Sequence, residues 1–254
     1  MSVQGLSAFP AGGLAVVVGA GGSIGAALLA QLQASGRFER LLGFSRSGVL
    51  APQDATSVIA RVSFGKLDLC SEADVVSAAG VVSAAGLPLR LFINATGFLH
   101  GDGWTPEKSW RQIDAAHMAK AFAVNTIGPA LLVKHFLPLL SREGKAVFAT
   151  LSAKVGSIGD NRLGGWYSYR ASKAALNQII RTAAVELARS RRESLCVALH
   201  PGTVSSRMTE PFRKEGLDVR LPDTAARQLL EVMDRLQAVD SGGFFDYKGA
   251  ALPW

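Results

Sequence analysis

Cysteine is scarce in this sequence: 254 residues hold two, Cys70 and Cys196, with no C-x-x-C pair and no Cys/His cluster. That spacing excludes a thiolate metal site, so no metal is expected, and each cysteine reads as a buried thiol in a reducing compartment. Charge is missing from the start of the chain, where the first charged residue is Arg37. A secretory signal needs a basic leader. The apolar run from Leu14 to Leu32 is broken by Gly19, Gly21, Gly22 and Gly25 and carries Gln31. Neither an export signal nor a membrane span is expected, and the expected location is the cytoplasm. The chain also lacks a basic block. Its net charge of +7 is scattered, and the one cluster, Arg189, Arg191 and Arg192, falls at an expected helix end where it complements the helix dipole. Without interleaved aromatics, that cluster gives no reason to expect a nucleic-acid partner. Repeats, linkers and low-complexity blocks are missing as well. With 48% hydrophobic and 19% charged residues the chain can bury one sizeable core, and a single domain over residues 1–254 is expected.

What is present begins with five consecutive apolar residues, Leu14 to Val18, the pattern of a strand buried on both faces of a parallel sheet. Gly19-Ala20-Gly21-Gly22-Ser23-Ile24-Gly25 follows, then a good helix-forming run from Ala26 to Ala34. Strand, glycine turn and helix in that order let backbone approach a pyrophosphate whose charge meets the helix N-terminus. A second strand, Arg40 to Phe44, ends in Ser45-Arg46-Ser47, about twenty residues on, where an acid would bind the ribose 2′-hydroxyl of NAD. Arg46 and two hydroxyls suit a 2′-phosphate instead, so NADP is expected ahead of NAD; the alternative is a routine solvated arginine. Ala60 to Leu69 reads as a third strand ending at Asp68, which either reaches a bound adenine or caps the helix from Glu72 to Ala85.

A fourth strand, Arg90 to Ile93, runs into Asn94-Ala95-Thr96-Gly97 at the carboxyl edge, where open α/β sheets bind cofactors. After a loop from Phe98 to Ser109, a long helical region reaches about Leu140 and carries Asn125 four residues before Pro129. Proline has no N–H to offer the Asn125 carbonyl, so the helix either kinks there or restarts at Pro129. The fifth strand, Ala146 to Leu151, leads to Ser152, Ala153 and Ser157, and the serines bind either a substrate carbonyl or the turn's own backbone. The next helix, Tyr169 to about Arg189, places Tyr169 and Lys173 one turn apart on one face. A fixed ammonium stabilises a phenolate, which makes the pair a proton-transfer device; Tyr and Lys at this spacing also arise by chance. A sixth strand, Leu195 to Leu199, ends in His200-Pro201-Gly202-Thr203, with His200 expected to satisfy the turn. Residues 208–221 read as a polar, mobile segment, Asp223 to Leu236 as a helix and Gly243 to Tyr247 as a last strand. The sum is an α/β Rossmann architecture: a doubly wound parallel sheet of about seven strands with helices on both faces.

These motifs, in this order over nearly the whole chain, resemble the short-chain dehydrogenase/reductase family. Gly156 to Asn161, Phe244 to Tyr247 and Leu252-Pro253-Trp254 are similar to the branch of C-factor and sniffer-type carbonyl reductases. The resemblance implies an NADP(H)-linked oxidoreductase acting on a carbonyl or alcohol, with Tyr169 the acid/base, Lys173 its partner and a ribose ligand, and Asn125 a water-holding relay. It implies a cofactor cradle of Gly19, Gly22, Ser23, Ile24 and Gly25, with Ser45 and Arg46 at the far phosphate and Asp68 and Leu69 at the adenine. Asn94, Ala95 and Gly97 fall beside the ribose, and Pro201, Gly202 and Thr203 at the nicotinamide end. A homodimer or homotetramer through the helices of Asn125 and Tyr169 is implied too. The chain departs from the family at Ala153, where the second of two serines usually polarises the substrate; Ser152 and Ser157 are the candidates left to replace it.

Overall fold

Alternate residues of the first strand face opposite ways, and both sides are covered. The computed structural model describes residues 5–48, 61–101, 103–212 and 218–254. Strand β1 (Leu14–Val18) is buried at every position. Its Ala15 and Val17 pack with Leu28 and Leu32 of α1 (Ser23–Ser35) and with Leu229 and Met233 of α6 (Pro222–Arg235). Its Leu14, Val16 and Val18 face the opposite core, with Val75 and Val82 of α2 (Glu72–Ala84), Leu132 and Phe136 of α4 (Gly128–Phe136) and Leu176 and Ile180 of α5 (Tyr167–Leu187). A period of two across a sheet covered on both faces explains why these strands read as unbroken apolar runs.

Six further strands complete the sheet: β2 (Arg40–Ser45), β3 (Val62–Lys66), β4 (Leu89–Asn94), β5 (Ala146–Leu151), β6 (Ser194–His200) and β9 (Phe244–Asp246). Their spatial order is β3-β2-β1-β4-β5-β6-β9 with every pairing parallel. The chain therefore leaves β1 toward one edge and returns to β4 on its other side, opening a crevice at the carboxyl ends of β1 and β4. Phe92 of β4 stacks on Phe148 of β5 and meets Phe136, each at 4.6 Å between ring centres, which closes the core beneath that crevice. A short separate pairing joins β7 (Thr203–Val204) to β8 (Val219–Arg220).

The helix carrying Asn125 changes its hydrogen bonding in the turn just before Pro129, which falls in the first turn of α4. Helix α3 (Ala115–Phe122) passes into α4 through one π turn, Ala123–Ile127, in which the Gly128 N–H donates to the Ala123 carbonyl five residues back. A π turn absorbs one extra residue and re-aims the side chains on it. Among the described residues, Ala115–Leu139 is one stretch long and apolar enough to cross a membrane, yet Leu132 and Phe136 lie in the core.

Four expectations need correction. Cys70 is exposed, because it follows the carboxyl end of β3 in the turn that opens α2, while Cys196 is buried in β6. Arg191 does not serve the helix dipole in solvent: it is buried and its guanidinium donates to the Leu140 and Pro138 carbonyls, tying the end of α5 to the segment after α4. His200 leaves its turn unsatisfied, since its Nδ1 is buried without a hydrogen-bond partner and burial pushes its pKa down to about 4. The span 208–221 contains a 3-10 turn, Glu210–Phe212, and β8, and its aromatic Phe212 packs inward; residues 213–217 of that span, and Ala60 of the expected third strand, lie outside the described residues.

Candidate active site

The crevice at the switch point is a cleft of about 1580 Å³. Its floor is backbone. Gly19 has φ +92°, and a Cβ there would stand 2.9 Å from the Ala95 carbonyl. A Cβ on Gly25 would stand 2.1 Å from the Gly19 carbonyl oxygen, so only glycine lets α1 start this close to β1. No acidic side chain occupies the first turn of α1, leaving its N-terminal amides open to an anion. Gly19, Gly22, Ser23, Ile24, Ser45, Arg46, Asp68, Leu69, Ala95 and Gly97 all line the cleft. Gly25 and Asn94 support it from beneath. Asn94 is buried, donates to Thr150 Oγ1 at 2.9 Å and accepts from the Thr96 N–H and hydroxyl at 3.2 and 2.6 Å, which shapes the turn after β4. Asp68 accepts from the Cys70 N–H at 2.9 Å, while Ser71 caps α2. These features fit a dinucleotide: a cradle that a Cβ would fill, a helix N-terminus for the pyrophosphate, and Arg46 with no acid at the end of β2.

Gly97 connects this floor to the proton-transfer end. An added Cβ there would lie 3.4 Å from Met208 Cε, 3.7 Å from Asn125 Oδ1 and 3.8 Å from Lys173 Nζ. Asn125 is buried in the π turn; its side chain accepts from the Phe98 N–H at 2.8 Å and donates to the Phe98 carbonyl at 2.7 Å and to Ser172 Oγ at 3.1 Å. Lys173 is buried, donates to the Leu151 carbonyl at 2.9 Å, and lies 5.9 Å from the centre of the Tyr169 ring. Desolvation governs both members of the pair. It pushes the Tyr169 phenol up to about 12 and the Lys173 ammonium down to about 7. The expected lowering of Tyr169 by its neighbour is thus outweighed by burial.

Both candidate serines are held by other partners. Ser152 Oγ donates to Asn177 Oδ1 at 2.6 Å, on the α5 side, as the alternation of an extended chain requires. Ser157 is buried and bonds the Trp254 carbonyl at 3.3 Å and the Asp160 N–H at 3.1 Å. Pro201, Gly202 and Thr203 stand at the end of β6, with Gly202 against Arg220 and Tyr247; the cleft lining includes Ser206, Arg207 and Met208 just beyond them.

Sequence reading missed the place of Trp166 and the polar cluster of Glu107, His117 and Ser168. Trp166 meets Tyr169 edge-on at 6.2 Å and Phe212 at 5.4 Å, and Phe212 meets His100 at 5.3 Å. Trp104 stacks on His117 at 5.7 Å. Glu107, His117 and Ser168 are buried together behind these rings. Glu107 and Ser168 lie 61 positions apart, and no local spacing signals their contact.

A family model described as short chain dehydrogenase matches residues 13–217. C-signal of Myxococcus xanthus is 38% identical over 144 residues, 56% of this chain and 81% of that protein. The 1-hydroxy-2-glutathionyl-2-methyl-3-butene dehydrogenase of a Rhodococcus species is 33% identical over 162 residues, 64% of this chain and 69% of that one. Among solved structures, the NADPH-bound carbonyl reductase from chicken fatty liver superposes with a TM-score of 0.85 at 27% identity, covering 98% of this chain and 97% of that one. The carbonyl reductase Sniffer of D. melanogaster, at 23% identity and a TM-score of 0.82 over 95% of this chain and 99% of its own, shares the fold.

Proposed function

The chain belongs to the short-chain dehydrogenase family, and from that premise we propose that it is an NADP(H)-dependent carbonyl reductase or alcohol dehydrogenase working as one domain over residues 1–254. The observation that carries the reading is the meeting of Asn125 and Lys173 at Gly97, beside Tyr169, where a glycine-floored cleft ends. Gly19, Gly22, Ser23, Ile24 and Gly25 would hold the pyrophosphate, Arg46 and Ser45 the 2′-phosphate, Asp68 and Leu69 the adenine, and Asn94, Ala95, Gly97, Lys173 and Thr203 the nicotinamide riboside. The dinucleotide supplies or accepts the hydride.

The protein's part is position and protons. A phenol held at about 12 keeps its proton at neutral pH, so Tyr169 is set to act as the general acid of carbonyl reduction. Lys173, near 7, is partly charged there and lowers the cost of phenolate as the proton leaves. Asn125, fixed by its bonds to Phe98 and Ser172, holds the loop after β4 against α5. With Ala153 in place of a hydroxyl, the developing oxyanion relies on Tyr169 itself, and turnover is correspondingly slow. Support for NADP over NAD comes from Arg46 and from the NADPH carried by the chicken reductase. Exposed Ile127 and Val185 on the long helices fit pairing of two copies through that face, and the free thiols Cys70 and Cys196 fit the cytoplasm.

A second reading rests on Ala153: a nucleotide-binding signalling or scaffold protein with little turnover, in keeping with the name of the Myxococcus relative. Following NADPH oxidation across aldehydes, ketones and quinones separates the two. Turnover with any substrate class supports the reductase; NADPH binding without turnover supports the signalling protein.

A further inference from the structure

Helix α5, which carries Tyr169 and Lys173, begins without a cap of its own. Trp166 stands at its N-cap with φ +55° and no side-chain cap, and the first turn has no acidic residue. The cap arrives from the loop after β4. Both carboxylate oxygens of Glu107 accept from the Ser168 N–H, at 3.2 and 3.3 Å, and Oε1 also accepts from the Ser168 hydroxyl. The Glu107 carbonyl accepts from the Trp166 N–H at 2.5 Å. His117 Nδ1 lies 3.5 Å from Glu107 Oε1, its ring stacked on Trp104 and meeting Phe98 edge-on at 6.0 Å.

A carboxylate 2% exposed is costly unless its oxygens are satisfied, and here amide, hydroxyl, helix dipole and imidazole satisfy them together. The clamped residue, Ser168, immediately precedes Tyr169, so any rotation of the first turn of α5 carries the phenol with it. The same carboxylate belongs to the loop that brings Phe98 to the wall of the cleft and stacks Trp104 on His117. We propose that Glu107, steadied by His117, is a positioning residue that clamps the first turn of α5 and so sets where the Tyr169 hydroxyl stands. The proposal rests on Tyr169 as the acid/base of the reaction.

The test compares Glu107→Ala, Glu107→Gln and Ser168→Ala in the full chain, measuring kcat, KM for the carbonyl substrate, NADPH affinity and amide exchange at residues 166–171. Misplacing a reacting group by about 1 Å costs on the order of 100-fold, so Glu107→Ala should lose about that in kcat with NADPH affinity within about twofold. Glu107→Gln keeps an acceptor for the Ser168 amide and should recover to within about tenfold of the parent, with Ser168→Ala lying between. Exchange in the first turn of α5 should quicken in Glu107→Ala alone. Parental kcat in Glu107→Ala, or equal losses of kcat and NADPH affinity without rescue by glutamine, overturns the proposal. If Glu107→Ala does not fold, Glu107→Gln and Ser168→Ala decide, and parental kcat in both overturns it. Should Tyr169→Phe keep turnover, the acid/base reading falls instead, and the exchange result still reports whether Glu107 clamps the helix.

Discussion

The two ends of the cleft are built from different materials. At the glycine end the working surface is backbone: a turn that tolerates no Cβ, a helix N-terminus and one exposed arginine. At the tyrosine end it is buried side chains, with Lys173, Glu107 and the pair Asn125 and His117 drawn from three separate segments. The first kind of site is fixed by local spacing and tolerates change wherever the backbone path survives. The second depends on contacts between distant segments.

The contrast is sharpest at Gly25. Gly25→Val places a branched side chain where even a Cβ meets the Gly19 carbonyl at 2.1 Å, so NADPH affinity should fall by about 1000-fold, roughly 4 kcal/mol, in a fluorescence titration. Parental affinity in this variant removes the cradle. At the other end, Ala153→Ser restores a donor for the developing oxyanion; kcat should rise by about 10- to 100-fold with NADPH affinity unmoved. An unchanged kcat means that the 153 position does not face the reacting carbonyl.

Lys173 gives a pH signature. Its folded pKa of about 7 lies below the ordinary 10.5 because of burial, so between those values the unfolded chain holds a proton that the folded chain has shed. Stability of the cofactor-free protein should therefore rise from pH 7 toward pH 10, by roughly 2 kcal/mol, and Lys173→Met should flatten the rise. Tyr169, raised to about 12, opposes this only above pH 10, where the unfolded chain ionises first. Urea midpoints at pH 7 and 9 for both proteins check the sign. The smallest effect is at the exposed phosphate corner: Arg46→Ala should cut the preference for NADPH over NADH by about tenfold. Equal affinities in the parent remove that role.

The same division explains what was legible in the sequence. Strands buried on both faces read as apolar runs, and β1, β5 and the glycine turn follow from composition within a residue or so. The π turn at Asn125 was not legible, because Pro129 signals a missing donor without saying whether the helix breaks, kinks or gains a residue. Cys70 and Arg191 went wrong for a related reason: burial of a single residue depends on which distant segment covers it. Glu107 carries no local pattern at all, since its partner Ser168 becomes its neighbour only when the loop after β4 folds over α5.

The central claim, that Tyr169 moves the proton at the end of a cleft that binds NADP(H) independently, has a direct test. Single-turnover reduction of a carbonyl substrate by the parent and by Tyr169→Phe, with NADPH affinity measured on the same samples, separates the two ends. The rate should fall by at least about 1000-fold while NADPH affinity stays within about twofold. Substantial residual reduction by Tyr169→Phe contradicts the account.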